Sequence, residues 1–200
     1  MSCWALVPVK ARSAGKQRLA PALTEPVRAR LVHLMLAHVL EVLRGCEEIR
    51  GVLVMTPEAE GLPAGVPTFP DQGVEMNASL GLALGALAAR GATRVAVISA
   101  DLPQLDAGEV SALVQAGGPG AVALAPDHAG VGTNAACIAL PAAFRFQFGP
   151  GSLERHLAEA ASVGLAAALV RRPGLAFDVD EPADIERLRA RGEARFAFLG

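Results

Sequence analysis

Asp101 closes a short apolar run, Arg94-Val95-Ala96-Val97-Ile98, and is followed by Leu102-Pro103. Such a run reads as a strand buried on both faces. An open α/β sheet binds ligands in the crevice beyond the carboxyl ends of its strands, so Asp101 is expected to project into that crevice. A carboxylate there is costly unless solvated or paired, and a divalent cation is the usual partner. The alternative task, capping the helix that follows, is better suited to Asp106. Asp178-Val179-Asp180 is a second acidic element. In an extended segment, residues i and i+2 share a face about 7 Å apart. Two carboxylates so placed repel by roughly 2 kcal/mol at an effective dielectric near 20, a repulsion that a metal cation would reverse. For Asp180 the competing task is to cap the helix opened by Glu181-Pro182.

The cations lie elsewhere. Lys10 and Lys16 are the only lysines in the chain, and arginine supplies every other permanent positive side chain. With Arg12 and Arg18 they follow the first apolar run directly, where nucleotide-binding folds hold phosphates. A solvated basic loop is the plain alternative. Neither G-x-G-x-x-G nor a P-loop pattern follows this run, which disfavours a dinucleotide-binding oxidoreductase. Gly132-Thr133-Asn134 places a hydroxyl and an amide at a strand entrance. Gly149-Pro150-Gly151-Ser152 offers N–H groups and a hydroxyl at a helix start, an arrangement that suits an anion, although Ser152 could serve only as the N-cap. Taken with the acids and the basic loop, these turns imply a second phosphorylated ligand facing a nucleotide.

The elements that must position these groups alternate between strands and helices. Strands are expected at Cys3–Val9, Val52–Met55, Val66–Thr68, Arg94–Ile98, Ala121–Ala125, Asn134–Leu140 (pairing with its predecessor) and Ala167–Val170. Helices are expected from Thr24-Glu25-Pro26 to Gly45, Asn77 to Ala89, Ala107 to Gln115, Ser152 to Ala161 and Pro182 to about Arg191. In the second helix Leu80, Leu84 and Leu87 form the core stripe, with Gly81 and Gly85 allowing close approach to the sheet. Phe144, Phe146 and Phe148 read as an extended segment covering the core rather than a platform for stacking bases. The fold class is α/β, a three-layer α/β/α arrangement around a mostly parallel sheet, built as one domain over residues 1–200.

Composition narrows the function. A net charge of −2 over 200 residues gives no broad footprint for nucleic acid. No apolar run reaches the roughly 20 residues of a membrane span, and Lys10 and Arg12 interrupt the first run too early for a signal peptide. Cys3, Cys46 and Cys137 are odd in number and widely spaced, the usage of reduced thiols in a cytoplasm. His33, His38, His128 and His156 lack metal-ligand spacing and read as ordinary core or surface histidines. The apolar surplus is compatible with a homodimer.

An ordered set of segments resembles the 2-phospho-L-lactate guanylyltransferase family of deazaflavin coenzyme F-420 biosynthesis, including its phosphoenolpyruvate and 3-phospho-D-glycerate variants. The set is Val7-Pro8-Val9-Lys10, Lys16-x-Arg18-Leu19, Asn77-Ala78, Asp101-Leu102-Pro103, Gly132-Thr133-Asn134, Gly149-x-Gly151-Ser152 with His156, and Asp178-x-Asp180-x-Pro182-x-Asp184. The family is similar in fold to the Rossmann-like nucleotide-sugar and molybdopterin nucleotidyltransferases, whose glycine-rich first loop is replaced here by the Lys/Arg loop. In this chain Glu75-Met76 stands where the family usually has small residues before the asparagine. The resemblance implies Mg²⁺-dependent transfer of GMP from GTP to a small phosphorylated acid, with release of pyrophosphate. It implies that Thr133, Gly149 and Ser152 contact the acid and that Asp101, Asp178 and Asp180 surround the metal. Pro8, Lys10, Lys16, Arg18, Asn77 and Asp101 would meet the nucleotide, with Asp101, Lys16 and Arg18 as the catalytic groups. The acid's phosphate, with a second pKa near 6, is already largely dianionic at neutral pH, so no Ser–His or Cys–His pair is required. The rival readings are another nucleotidyltransferase of the same fold, of molybdopterin or sugar-phosphate type, and a non-catalytic nucleotide-binding subunit.

Overall fold

The computed structural model describes residues 2–9, 16–60, 62–63, 65–71 and 76–200. The sequence expectations for Lys10, Arg12 and Glu75 fall outside these residues. Seven strands build one sheet: β1 Cys3–Pro8, β2 Ile49–Thr56, β3 Thr68–Pro70, β4 Arg94–Ile98, β5 Ala121–Pro126, β6 Thr133–Ala139 and β7 Ala166–Leu169. Their spatial order is β3-β2-β1-β4-β6-β5-β7. Pairing is parallel except where β6 runs against β4 and β5.

Period-two alternation gives the sheet two buried faces. Leu6, Val95, Val97, Leu124, Ala136 and Ile138 pack toward α2 (Met76–Ala89) and α4 (Ser152–Ser162). Ala5, Val7, Ala96, Ile98, Ala135 and Cys137 pack toward α1 (Glu25–Gly45) and α3 (Ala107–Ala116). The expected three layers result. The three cysteines are buried and free of disulfides, and no helix among the described residues is long and apolar enough to cross a membrane.

The local signals held unevenly. Asp106 caps α3, its carboxylate accepting the Glu109 N–H at 2.8 Å. Thr24 occupies the N-cap of α1 but makes no side-chain capping bond. Gly81 and Gly85 do not meet the sheet, because they are exposed and no atom lies within 4 Å of where a Cβ would stand. The stripe Leu80, Ala83 and Leu87 makes that contact. Gly81, one position beyond Leu80, and Gly85, two beyond Ala83, are rotated about 100° and 200° from those residues. The Phe144–Phe148 segment does cover the core, with Phe144 and Phe146 buried and Phe148 packed beside them.

A third apolar cluster is the one that positions the acids. Leu19 of a 3-10 turn (Gln17–Leu19) meets Leu31 and Met35 of α1, Phe177 and Val179, Ile185 and Leu188 of α6 (Pro182–Ala190), and Phe196 and Leu199 of a C-terminal 3-10 segment (Ala194–Leu199). The packing ties the loop carrying Lys16 to the segment carrying Asp178 and Asp180.

Candidate active site

Because β6 is antiparallel to β4, its first residues lie beside the last residues of β4. Ile98 pairs with Ala135, and the Ser99 N–H donates to the Asn134 carbonyl at 2.9 Å. Thr133, Asn134 and Asp101 therefore share the carboxyl edge of the sheet, next to the point where strand order reverses between β1 and β4.

Lys16 reaches this edge from the 3-10 turn. Its ammonium donates to Asp101 Oδ2 and, at 2.5 Å, to Asp180 Oδ1. Lys16 is the one non-glycine residue with positive φ (53°) among those described, a conformation that costs a side-chain-bearing residue about 1–2 kcal/mol. The ion pairs offset that strain. Burial works against the charge on Lys16, but the two carboxylates outweigh it and hold its pKa above the ordinary lysine value. Asp178 is mostly buried and accepts the Asn134 Nδ2–H at 3.1 Å, the same amide also donating to the Leu175 carbonyl at 3.1 Å. Burial, then the charges of Asp101 and Asp180, push the Asp178 pKa up to about 6 against this hydrogen bond. His128 Nδ1 stands 4.0 Å from its Oδ1.

Burial alternates along this segment: Phe177 and Val179 pack into the cluster while Asp178 and Asp180 stay partly exposed. The capping alternative for Asp180 fails. Glu181 is the N-cap of α6, and Asp184 Oδ2 reaches back to accept the N–H groups of Asp180 (3.0 Å) and Glu181 (2.9 Å). Asp180 thus keeps its carboxylate for Lys16. The upstream turn α5 (Pro173–Ala176) is held by Glu109, whose Oε1 accepts the Gly174 N–H at 2.8 Å. Gly174 must be glycine, since a Cβ would fall 2.2 Å from the Gln104 carbonyl oxygen.

Asp101 and Asp180 are brought together by the Lys16 ammonium, with Asp178 beside them on Asn134. Among the described residues no three His, Cys, Asp or Glu side chains group closely enough to hold a metal ion. Carboxylates crowded together favour a counter-cation, and here the chain's own ammonium, itself mostly buried, supplies it between the partly exposed Asp101 and Asp180. That pair of hard oxygen donors, already converging on a cation, fits the chemistry of Mg²⁺.

Thr133 opens a second group beside the first. Its Oγ1 lies 3.1 Å from Nδ1 of His156, whose Nε2 accepts the Gln147 N–H at 2.8 Å. His156 is fully buried among Phe144, Phe146 and Phe148, with ring centroids 4.9–6.0 Å away. Burial, and then the charge of Arg155, lower its pKa to about 4. Gly149 (φ 124°) and Gly151 (φ 67°) shape the turn into α4. Gly151, not Ser152, is the N-cap; Ser152 is the first helical residue and is buried. Two of the N–H groups expected to greet an anion are already used, Ser152 N–H by the Gly149 carbonyl and Leu153 N–H by that of Val131.

The other expected nucleotide contacts are more dispersed. Pro8 ends β1, and Arg18 is exposed on the 3-10 turn. Asn77 is engaged on the backbone of Phe148, donating to its carbonyl (3.1 Å) and accepting its N–H (2.9 Å). Sequence reasoning gave no role to Asp127, whose carboxylate accepts the N–H groups of Val131 and Gly132 at 2.9 Å and so shapes the entry to Thr133. An acid ahead of a glycine-rich turn was the available signal. Glu109 left no such signal, because its partner is 65 residues away.

A family sequence model described as "Guanylyl transferase CofC like" matches residues 3–198. A phosphoenolpyruvate guanylyltransferase of Sphaerobacter thermophilus is 40% identical over 94% of this chain and 93% of that protein. One from Rubrobacter xylanophilus is 37% identical over 98% of both. Among solved structures, one from Desulfovibrio desulfuricans described as a nucleotide-diphospho-sugar transferase superposes with a TM-score of 0.78 at 16% identity, over 99% of this chain and 93% of its own. A cytidylyltransferase from Leptospira borgpetersenii gives 0.59 at 12%, over 98% and 91%. At such identities the structural likeness concerns the fold.

Proposed function

The chain belongs to the CofC-like guanylyl transferase family, and from that premise we propose that it transfers GMP from GTP to the phosphate of phosphoenolpyruvate, releasing pyrophosphate, as a step toward deazaflavin coenzyme F-420. The names of its relatives support the choice of acid. The observation that carries the reading is the Asp101–Lys16–Asp180 cluster, with Asp178 and the Thr133 group beside it on one sheet edge.

The acceptor's phosphate is its own nucleophile at neutral pH. One of its oxygens forms a bond to the α-phosphorus of GTP, the bond from that phosphorus to the α–β bridging oxygen breaks, and the electron pair leaves with pyrophosphate. No side chain removes a proton. The protein's work is to align two anions and neutralise charge. Asp101 and Asp180, with Asp178 drawn in beside them as Lys16 yields, would hold Mg²⁺, which when bound supplies Lewis-acid stabilisation of phosphoryl oxygens. Lys16 exchanges part of its pairing with Asp101 and Asp180 for the triphosphate, joined by Lys10 and Arg18. Pro8 and Asn77 would contact the nucleotide. Thr133, Gly149 and Ser152 hold the acid.

The test is a panel. GTP, ATP, CTP and UTP are each incubated with phosphoenolpyruvate, 2-phospho-L-lactate, 3-phospho-D-glycerate or a sugar phosphate, and products are identified by mass. The guanylated phosphoenolpyruvate adduct is the expected main product. Turnover confined to another nucleotide or a sugar phosphate, or no turnover at all, overturns the reading.

A further inference from the structure

Resting on the function just proposed, the geometry points to His156 as a positioning residue that fixes the direction of the Thr133 hydroxyl in the acid subsite. A backbone N–H only donates, so the nitrogen that accepts from Gln147, Nε2, carries no proton. The ring is fully buried among Phe144, Phe146 and Phe148. A charged imidazolium has no compensating carboxylate among its hydrogen-bond partners, which are a backbone amide and a hydroxyl. The neutral ring therefore holds its proton on Nδ1 and donates it to Thr133 Oγ1 at 3.1 Å. With a lone pair of Oγ1 taken, the hydroxyl's own proton is turned away from His156. It becomes a committed donor for the oxygen of a phosphate or carboxylate.

The anchoring of both partners makes this more than a packing contact. Thr133 begins β6 and pairs with Pro126 across the sheet. His156 stands one turn into α4, and the Leu153 N–H of that helix donates to the Val131 carbonyl two residues before Thr133. Strand, loop and helix are thus locked in register around one hydrogen bond. A hydroxyl that needs no reorientation when an anion arrives contributes most to binding the acid and little to binding GTP.

Two substitutions separate positioning from packing. His156→Asn places an amide N–H near the position of Nδ1 and so keeps a donor for Thr133, while giving up the ring. His156→Phe keeps an aromatic ring among the phenylalanines and removes the donor. Both lose the acceptor for Gln147, so that cost is common to them. Positioning predicts that His156→Phe raises KM for phosphoenolpyruvate about 10-fold with KM for GTP within about 2-fold, that His156→Asn recovers most of the loss, and that the recovery disappears on a Thr133→Val background. If His156→Phe performs as well as or better than His156→Asn, or if KM for GTP rises in parallel, the role is structural and the inference is overturned. A readout independent of turnover is ¹⁵N NMR of the histidine rings, which must show His156 protonated at Nδ1; a proton at Nε2 overturns it as well. Wild-type protein without guanylyl transfer defeats the proposed function instead, and the tautomer and the binding of phosphoenolpyruvate by calorimetry, compared between the two variants in the same order, still decide the inference.

Discussion

At the residue scale, the balance of charge at the sheet edge decides what each side chain contributes. Asp178 pays for its place: it is mostly buried, beside Asp101 and Asp180, with a neutral amide as its hydrogen-bond partner. Replacing it with Asn keeps an acceptor for Asn134 and removes one of the crowded charges. Metal-free Asp178→Asn protein at pH 7.5 is expected to be more stable than wild type by about 1–3 kcal/mol, with Tm raised by several degrees, and to lose guanylyl transfer. Calorimetry in chelator checks this, and a lower Tm would show that Asp178 is satisfied as it stands. His156 adds a pH dependence opposite in sign to that of Asp178. Its pKa in the folded protein is about 4, below the ordinary 6.5, so between those values the unfolded chain holds more protons. Stability from this group is complete above pH 6.5 and is lost as pH falls toward 4, on the order of 2–3 kcal/mol by pH 4.5. Urea midpoints of wild type and His156→Asn should therefore draw together by that amount between pH 7.5 and 4.5. A gap independent of pH would contradict the assignment.

At the element scale, the site depends on segments of unequal legibility. The strand ending at Ile98, the cap at Asp106 and the glycine turn before α4 were readable because each is a local matter of apolar runs, side-chain oxygens or positive φ. The reversal of β6 relative to β4 was not, since direction is settled by which strand offers a free edge; only its pairing with β5 followed from adjacency. The Lys16 bridge spans 85 and 164 residues, and the clamp of Asn77 on Phe148 spans 71. No spacing in the chain encodes those contacts. The Lys16 contacts arise from the cluster in which Leu19 and Val179, both fully buried, pull the basic turn against the acidic segment. Leu19→Ala should cost about 2–5 kcal/mol of stability, measured by denaturant unfolding, and should lower turnover by more than the unfolded fraction explains. Turnover that tracks the folded fraction alone would mean that the packing does not position Lys16. Gly151→Ala places a Cβ at φ 67° and should cost about 1–2 kcal/mol while raising KM for the acid more than KM for GTP.

At the scale of the whole molecule, a seven-stranded sheet with helices on both faces brings four charged side chains from three distant parts of the chain to one edge. The fold is shared with structural neighbours of quite different sequence, and under the proposed function the chemistry comes from Lys16 and its facing acids. The net charge of −2 is small, so attraction for the proposed tetra-anionic GTP would come from this local arrangement rather than from the protein's overall field. The most direct test is the initial rate of pyrophosphate release from GTP and phosphoenolpyruvate with Mg²⁺, by wild type and by Asp101→Asn protein shown to be folded by its circular dichroism and Tm. A fall of roughly 100-fold to 1000-fold or more is expected, because Asp101 anchors the lysine and, under the proposed function, would hold the cation as well. Turnover by folded Asp101→Asn equal to that of wild type would contradict that expectation.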